Sequence, residues 1–285
     1  MIPKISIVTP SFNQGAFIEE ALVSVKAQNY PNVEHIVIDG ASTDQTLDIL
    51  RRYAGTPGWE HLRWISEPDQ GQSDALNKGF RMATGGIVGW LNSDDRYRRG
   101  CFATIAEGFA QHPRADVLYG DYTWIDEKGC IKGIRREIEF NRFILSYHHV
   151  LYIATVSTFF RHSLFEDGNL LNIDLQYAMD YEFFLRLAEK GYQFQHLPSI
   201  LADFRWHAQG KSTAHPGGQI AEHDVLAVMY SPFLRGIQTT QNQKLSLAAL
   251  RCIAKGLRYT EKLLRGYYFE RPSRSQISAS PILHQ

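Results

Sequence analysis

Ile87-Val88-Gly89-Trp90-Leu91-Asn92-Ser93-Asp94-Asp95 joins a short apolar strand directly to an acidic turn. Similar units precede it. Ile5-Ser6-Ile7-Val8-Thr9, closed by Pro10, reads as a buried parallel strand. His35-Ile36-Val37-Ile38 ends at Asp39-Gly40, and Leu62 to Ser66 leads into Glu67-Pro68-Asp69-Gln70-Gly71. Between these strands the spacing predicts helices. Phe17, Ala21, Leu22 and Val25 share one face before Asn29-Tyr30-Pro31. Leu47, Leu50 and Tyr53 share another, with Ser42 or Thr43 as its cap. A third helix runs from Ser73 to Ala83, stopped by Gly85-Gly86. Strands alternating with helices in this way argue for an α/β fold: a doubly wound, mainly parallel sheet flanked by helices. Ligands of such sheets bind beyond the carboxyl ends of the strands, where Asp39, Asp69 and Asp94 all fall.

The 285 residues allow one large domain or two small ones. With 30 Lys+Arg and 30 Asp+Glu there is no global basic field for nucleic acid. The charge is unevenly spread, however. Residues 225–285 hold nine basic and two acidic residues, a net of +7 against −7 for residues 1–224. An acidic domain over 1–218 and a helical, basic C-terminal extension over 219–285 are therefore expected. In the extension Arg251, Lys255, Arg258, Lys262 and Arg265 form one helical stripe beside Leu250, Ala254, Leu257 and Leu264. Tyr267, Tyr268 and Phe269 follow. The pattern suits an interfacial helix on an anionic membrane. It equally suits an apolar face packed on the body or on a second subunit, with the basic face solvated.

Cys101, Cys130 and Cys252 are scattered, fit neither a disulfide scaffold nor a zinc site, and suit a reducing cytoplasm. Met1-Ile2-Pro3-Lys4 leads straight into a strand, so no signal peptide is expected. The longest uncharged apolar stretch, Val150 to Phe160, has 11 residues, too few to span a bilayer. The second half of the chain is more mixed. Val117 to Ile125 and Gly129 to Arg135 read as strands around a Glu127-Lys128-Gly129 turn, Thr155 to Phe160 and Phe194 to Leu197 as further strands, and Tyr181 to Leu187 as a helix.

Several residues could carry chemistry, and each has a plainer reading. Asp94 and Asp95 could ligate a hard divalent cation together with phosphate oxygens, or simply cap a solvated turn. Asp39 could accept from a base N–H or ribose hydroxyls, or brace its own loop. Asp180 opens a helix, where the end amides favour its ionised form; it reads as a general base or as an N-cap. In Arg205-Trp206-His207 and Lys211-Ser212, His207 could ligate a metal and Arg205 or Lys211 could meet a diphosphate; all three also read as structural or solvent-facing.

The ordered segments resemble the family 2 glycosyltransferases, which have the GT-A nucleotide-diphospho-sugar transferase fold. The marks are Ser6-Ile7-Val8-Thr9-Pro10-Ser11-Phe12-Asn13, Val37-Ile38-Asp39-Gly40-Ala41-Ser42-Thr43-Asp44, Glu67-Pro68-Asp69-Gln70-Gly71 with Ala75-Leu76-Asn77-Lys78-Gly79, and Leu91-Asn92-Ser93-Asp94-Asp95. Thr158-Phe159-Phe160-Arg161, Asp180-Tyr181-Glu182 and Phe204-Arg205-Trp206-His207 complete them. The resemblance implies that Thr9, Pro10, Phe12, Asn13 and Asp39 line the nucleotide pocket with Asp69, Gly71, Asn77, Asn92 and Ser93. It implies Asp94, with Asp95 and His207, as the metal site, Asp180 as the catalytic base, and Arg205 and Lys211 as diphosphate or acceptor contacts. There is one departure: Asn92 stands where the family's Asp-x-Asp motif has its first acid, so it offers only neutral hydrogen bonds.

The implied activity is inverting transfer of a hexosyl or N-acetylhexosaminyl group from a nucleotide-diphosphate donor, a UDP-sugar favoured, with Mn²⁺ or Mg²⁺. The acceptor would be a saccharide or lipid-linked saccharide in surface polysaccharide or glycoconjugate assembly. The enzyme would lie in the cytoplasm or peripherally on the inner membrane face, or self-associate through the C-terminal helix. By position, His148, His149 and Tyr152 to Thr158 would face the acceptor. Among rivals, a nucleotidyltransferase would need a Gly-rich basic loop after the first strand, where Thr9 to Gln14 has neither feature. A processive synthase would need a membrane span and a Gln-x-x-Arg-Trp motif, and Ala202 stands at the Gln position. A non-catalytic sugar-binding module of the same fold is the remaining alternative.

Overall fold

The structure is a computed structural model that describes residues 2–148, 150–208, 210, 216–234 and 240–269. Its first half is a parallel sheet of β1 (Ile5–Ser11), β2 (Val33–Asp39), β3 (Leu62–Ser66) and β4 (Ile87–Trp90) in the order β3-β2-β1-β4. β1 is buried along its whole length, which explains a β-branched run in place of an alternating one. The crossovers are α1 (Ile18–Lys26), α2 (Thr46–Ala54) and α3 (Gln72–Met82). α3 ends at an extended Ala83, and neither Gly85 nor Gly86 is left-handed, contrary to the expected glycine stop. Gly85 answers a different need. A Cβ there would lie 2.7 Å from the Lys4 carbonyl and from Ser6 Oγ, so glycine lets the chain pass against β1.

The second half adds β5 (Arg96–Tyr97), α4 (Cys101–Gln111), β6 (Val117–Ile125), β7 (Ile131–Arg135), α5 (Arg142–Tyr147), β8 (Thr158–Arg161), α6 (Ser163–Glu166), α7 (Met179–Glu189) and β9 (Phe194–Arg205). The sheet order becomes β3-β2-β1-β4-β8-β6-β9-β5, with β7 on β6. β8 runs antiparallel to both β4 and β6, and β9 is parallel to β6. Strands β1 to β4, β6 and β9 therefore point the same way. Residues Thr155–Ser157, expected in a strand, form a 3-10 turn before β8. Side chains alternate between two cores: Val8, Val88 and Phe160 join α3 and α7 on one face, while Ile7, Ile87 and Phe159 join α1 and α4 on the other.

The C-terminal helices are α8 (Pro216–Met229) and α9 (Thr240–Leu264), so the expected boundary at 218/219 falls inside α8. Leu247 and Ala254 of α9 pack beside Tyr147 and Leu234. The basic stripe is largely turned inward. Arg258 and Lys262 reach the buried Glu137 at 2.6 and 3.1 Å, Arg251 pairs with Asp224, and Arg265 pairs with Glu261 at 3.0 Å. Of the apolar stripe, Leu250 and Ala254 pack inward while Leu257 and Leu264 are 47% and 82% exposed, so the packed-face alternative holds for half the stripe and its solvated basic face does not. The cause is Glu137: a carboxylate this deep needs cations, and α9 rotates to supply them.

Candidate active site

The carboxyl ends of β1, β2, β3, β4 and β9 converge on a cavity of about 700 Å³. Its walls include Pro10 to Phe12, Gly40, Asp69, Gly71, Asn92 to Asp94 and Phe204 to His207, faced by Thr155, Asp180 and Gln219. Ser93 ties the acidic turn to β1 by donating to the Pro10 carbonyl at 2.5 Å. Asn92 is fully engaged in the turn. Its Oδ1 accepts from Trp90 Nε1 at 2.8 Å and Gln72 Nε2 at 3.0 Å, and its Nδ2 donates to Asp95 Oδ2 at 3.2 Å. An aspartate here would face Asp95 charge to charge, which gives the neutral residue a local reason.

The two neighbouring acids part company. Asp95 points inward, 1% exposed, and accepts from the Arg205 backbone N–H at 2.8 Å. Burial, and then the charge of Asp94, push its carboxyl well above the usual range. Asp94 lines the cavity, with Oδ2 2.9 Å from Nε2 of His207. His207 is buried against the Phe17 ring, 4.8 Å between centroids. Arg205 does not reach out as a diphosphate contact. Its guanidinium donates to the carbonyls of Asp94 (2.7 Å), Asp126 (3.1 Å) and Glu127 (2.9 Å) and to Glu20 Oε2 (2.7 Å), which uses its donors to lock this corner.

Asp94 and His207 offer one carboxylate and one imidazole nitrogen on the cavity wall. Among the described residues there is no group of three His, Cys, Asp or Glu side chains that could hold a metal. Such a pair fits a hard divalent ion that completes its shell with substrate oxygens and water, and it does not fit a closed structural site.

Asp180 is the second residue of α7 and borders the same cavity. The Tyr181 backbone N–H donates to its Oδ1 at 2.8 Å, and the helix end favours the carboxylate. Glu222 of α8 steadies this helix start. It accepts from the backbone N–H groups of Gln176, Tyr177 and Ala178 at 3.1, 2.9 and 2.8 Å. Sequence reasoning missed Glu222 and Gln219, because contacts made across more than forty residues leave no local pattern.

Other expected pocket residues stand behind the lining. Thr9 is wholly buried with its hydroxyl 2.9 Å from His35 Nε2; burial, and then the nearby His61, lower that imidazole to about 3, so it is neutral. Asp39 is also wholly buried and holds its own loop, accepting from Ser42 N (2.9 Å), Ser42 Oγ (2.5 Å) and Ser66 Oγ (2.7 Å). Asn13 accepts from Thr43 N at 2.9 Å, and Asn77 clasps the Leu171 backbone at 2.9 and 2.8 Å. Phe12, Asp69 and Gly71 do reach the cavity. Asp69 leans over Gly40: a Cβ on Gly40 would lie 2.7 Å from its Oδ2. Of the expected acceptor segment, Thr155 reaches the cavity, while His148 and Tyr152 are buried elsewhere. His149 and Lys211 lie outside the described residues.

The model described as Glycosyl transferase family 2 matches residues 6–168, more than half of the chain. The chain belongs to that family. Within glycosyl transferase family 2 it is 37% identical over 120 residues to the PGL/p-HBAD biosynthesis glycosyltransferase of Mycobacterium bovis (strain BCG), covering 42% of this chain and 46% of that protein. It is 37% identical over 97 residues to the putative teichuronic acid biosynthesis glycosyltransferase TuaG of Bacillus subtilis, covering 34% of this chain and 38% of that protein. The match thus spans less than half of either relative. Two solved structures share the fold at 19% identity. S. aureus TarS 1-349 in complex with UDP-GlcNAc superposes with a TM-score of 0.65 over 96% of this chain and 78% of that one. The mannosyltransferase PcManGT from Pyrobaculum calidifontis, in complex with GDP-Man and Mn²⁺, gives 0.62 over 98% and 84%. These neighbours are GT-A glycosyltransferases, and their curled, helix-flanked sheet is the one found here.

Proposed function

We propose that the chain transfers a hexosyl or N-acetylhexosaminyl group from a nucleotide-diphosphate donor, a UDP-sugar by preference, to an acceptor hydroxyl with inversion. The observation that carries this reading is the meeting of Asp180 with the Asp94–His207 pair on one cavity at the carboxyl edge of the sheet. Asp94 and His207 would hold Mn²⁺ or Mg²⁺. Such an ion supplies Lewis-acid stabilisation of the charge that develops on the leaving diphosphate. The residues of the chain do the rest. Phe12 and the Asp69–Gly71 loop grip the nucleotide end, while Arg205 and Ser93 keep the Asp94 turn in register with β1 and β9. Asp180, ionised at its helix end, accepts the proton of the attacking hydroxyl, a role worth about 10²–10⁴ in rate.

Relatives named for glycolipid and teichuronic acid assembly support a saccharide or lipid-linked acceptor. A lipid-linked acceptor would be met peripherally at a membrane face. No helix among the described residues is long and apolar enough to cross one. The test is a thermal-shift screen of nucleotide sugars with and without Mn²⁺. A cognate donor at about 100 times Kd adds about 2.7 kcal/mol of stability. Asp94→Ala should remove the metal-dependent part of that shift; a shift equal in excess chelator contradicts the metal site.

A further inference from the structure

α9 shows its apolar side outward. At about 3.6 residues per turn, its charged side chains from Lys244 to Arg265 all fall within about a third of its circumference. That third faces the body, where Arg258 and Lys262 meet Glu137, Arg251 meets Asp224 and Arg265 meets Glu261. Leu247 and Ala254 pack on the same side. The rest of the circumference carries no charge. On it Leu245, Ile253, Leu257, Leu263 and Leu264 are between 47% and 82% exposed. They form an apolar stripe about 28 Å long. Tyr268 and Phe269 lie just beyond its end and are exposed as well. Apolar residues exposed singly are ordinary, but a continuous stripe of this length marks a surface that something covers.

The charges at its border decide what covers it. Among the described residues of α9, the exposed charged side chains are Lys244 and Lys255, both cationic. A second copy of this face brings the same lysines, so two such faces would meet cation to cation. An anionic lipid surface carries the opposite sign. We propose that α9 lies by this outer face on an anionic membrane surface. The leucine stripe enters the acyl boundary, Lys244 and Lys255 extend to the headgroups, and Tyr268 and Phe269 sit at the interface. No helix among the described residues is long and apolar enough to cross the bilayer, so the chain lies on it. The side chains that meet lipid are not those of the basic stripe, because Arg258 and Lys262 are buried against Glu137. The inference goes beyond the proposed sugar transfer and needs none of its chemistry, although it would bring the protein to a lipid-linked acceptor.

The test is co-sedimentation of the full chain with vesicles of phosphatidylcholine, alone or mixed with phosphatidylglycerol. Sedimentation velocity without lipid runs beside it. Ile253→Glu combined with Leu264→Glu places carboxylates on the stripe at positions already exposed, and thermal melts confirm that the variant folds. Wild type should pellet with the mixed vesicles, weakly with phosphatidylcholine alone, and less as salt is added. The glutamate pair should lower the partition about tenfold or more. Lys244→Gln and Lys255→Gln should each lower it about fivefold on the mixed vesicles. Asp180→Asn should pellet as wild type does, which separates a failure here from a failure of the proposed transfer. No pelleting by wild type, or pelleting that ignores the anionic lipid, overturns the proposal. So does unchanged pelleting by the folded glutamate pair or by the two lysine variants. A wild-type dimer that the glutamate pair dissociates, with no pelleting, also overturns it and gives the face to a second copy.

Discussion

Gly40 shows how much of the proposed donor site hangs on single atoms. The Asp69 carboxylate occupies the space a side chain at Gly40 would need, with Oδ2 only 2.7 Å from a Cβ built there. Asp69 in turn fixes the following loop by accepting from Gly71 N at 2.8 Å. Gly40→Ala should push Asp69 off that position while leaving the buried Asp39 brace intact. We expect donor KM to rise about tenfold with little change in Tm. Steady-state kinetics with the donor identified by the thermal-shift screen would check this, and an unchanged KM would mean that Asp69 does not meet the donor. Asn92 makes a parallel point. Its identity was plain in the sequence, but its reason was not, because its partners Gln72 and Trp90 and the buried Asp95 come together only in the folded turn.

At the scale of elements, Glu34 of β2 is the clamp that joins β1, β2 and the end of α3. Its carboxylate accepts from Ser6 Oγ (2.5 Å), Thr84 N (2.7 Å), Thr84 Oγ1 (2.8 Å) and Lys4 Nζ (3.0 Å). Burial pushes its pKa up, but these hydrogen bonds outweigh that and hold it down at about 2, against an ordinary 4.5. A depressed carboxyl stabilises the fold above its unfolded pKa, and the contribution fades as pH falls from 4.5 toward 2. Glu34→Gln should cost about 2–3 kcal/mol near neutrality and much less near pH 2. Urea melts at a series of pH values would show it; a variant with wild-type stability at neutral pH would remove the clamp. Glu222 acts on the site through α7. Glu222→Ala should cost about 1 kcal/mol of stability, as lost caps do. Displacing Asp180 should also lower kcat about tenfold or more at nearly constant donor KM, with partial rescue by Glu222→Gln. Equal kcat in the folded variant would show that α7 keeps its place without the cap.

Over the whole molecule, legibility follows the range of the forces involved. The first four strands are local objects, short runs marked off by nearby turn residues, and they lie where the pattern puts them, with β1 continuing through Pro10 to Ser11. α4 went unread, although Cys101, Phe102, Ile105 and Phe109 carry helical spacing. β9 was read only in part. The expected strand stops at Leu197, just before Pro198, yet the strand continues to Arg205. A register shift absorbs Pro198 and Ser199, with Leu197 opposite Gly120 and Ile200 opposite Asp121. That continuation is what delivers Arg205 and His207 to Asp94; the family resemblance implied the Asp94–His207 pair, but neither segment's own pattern shows it. The orientation of α9 stayed open in the sequence for the same reason, because Glu137 is remote from it along the chain. What remains at this scale is the proposed activity, in which Asp180 would take a proton that only the assembled cavity can present to it. The direct test is the comparison of Asp180→Asn with wild type, measuring sugar transfer beside donor affinity. The account predicts that kcat falls by about 10²–10⁴ while donor affinity holds; loss of both together, or unchanged turnover, would contradict it.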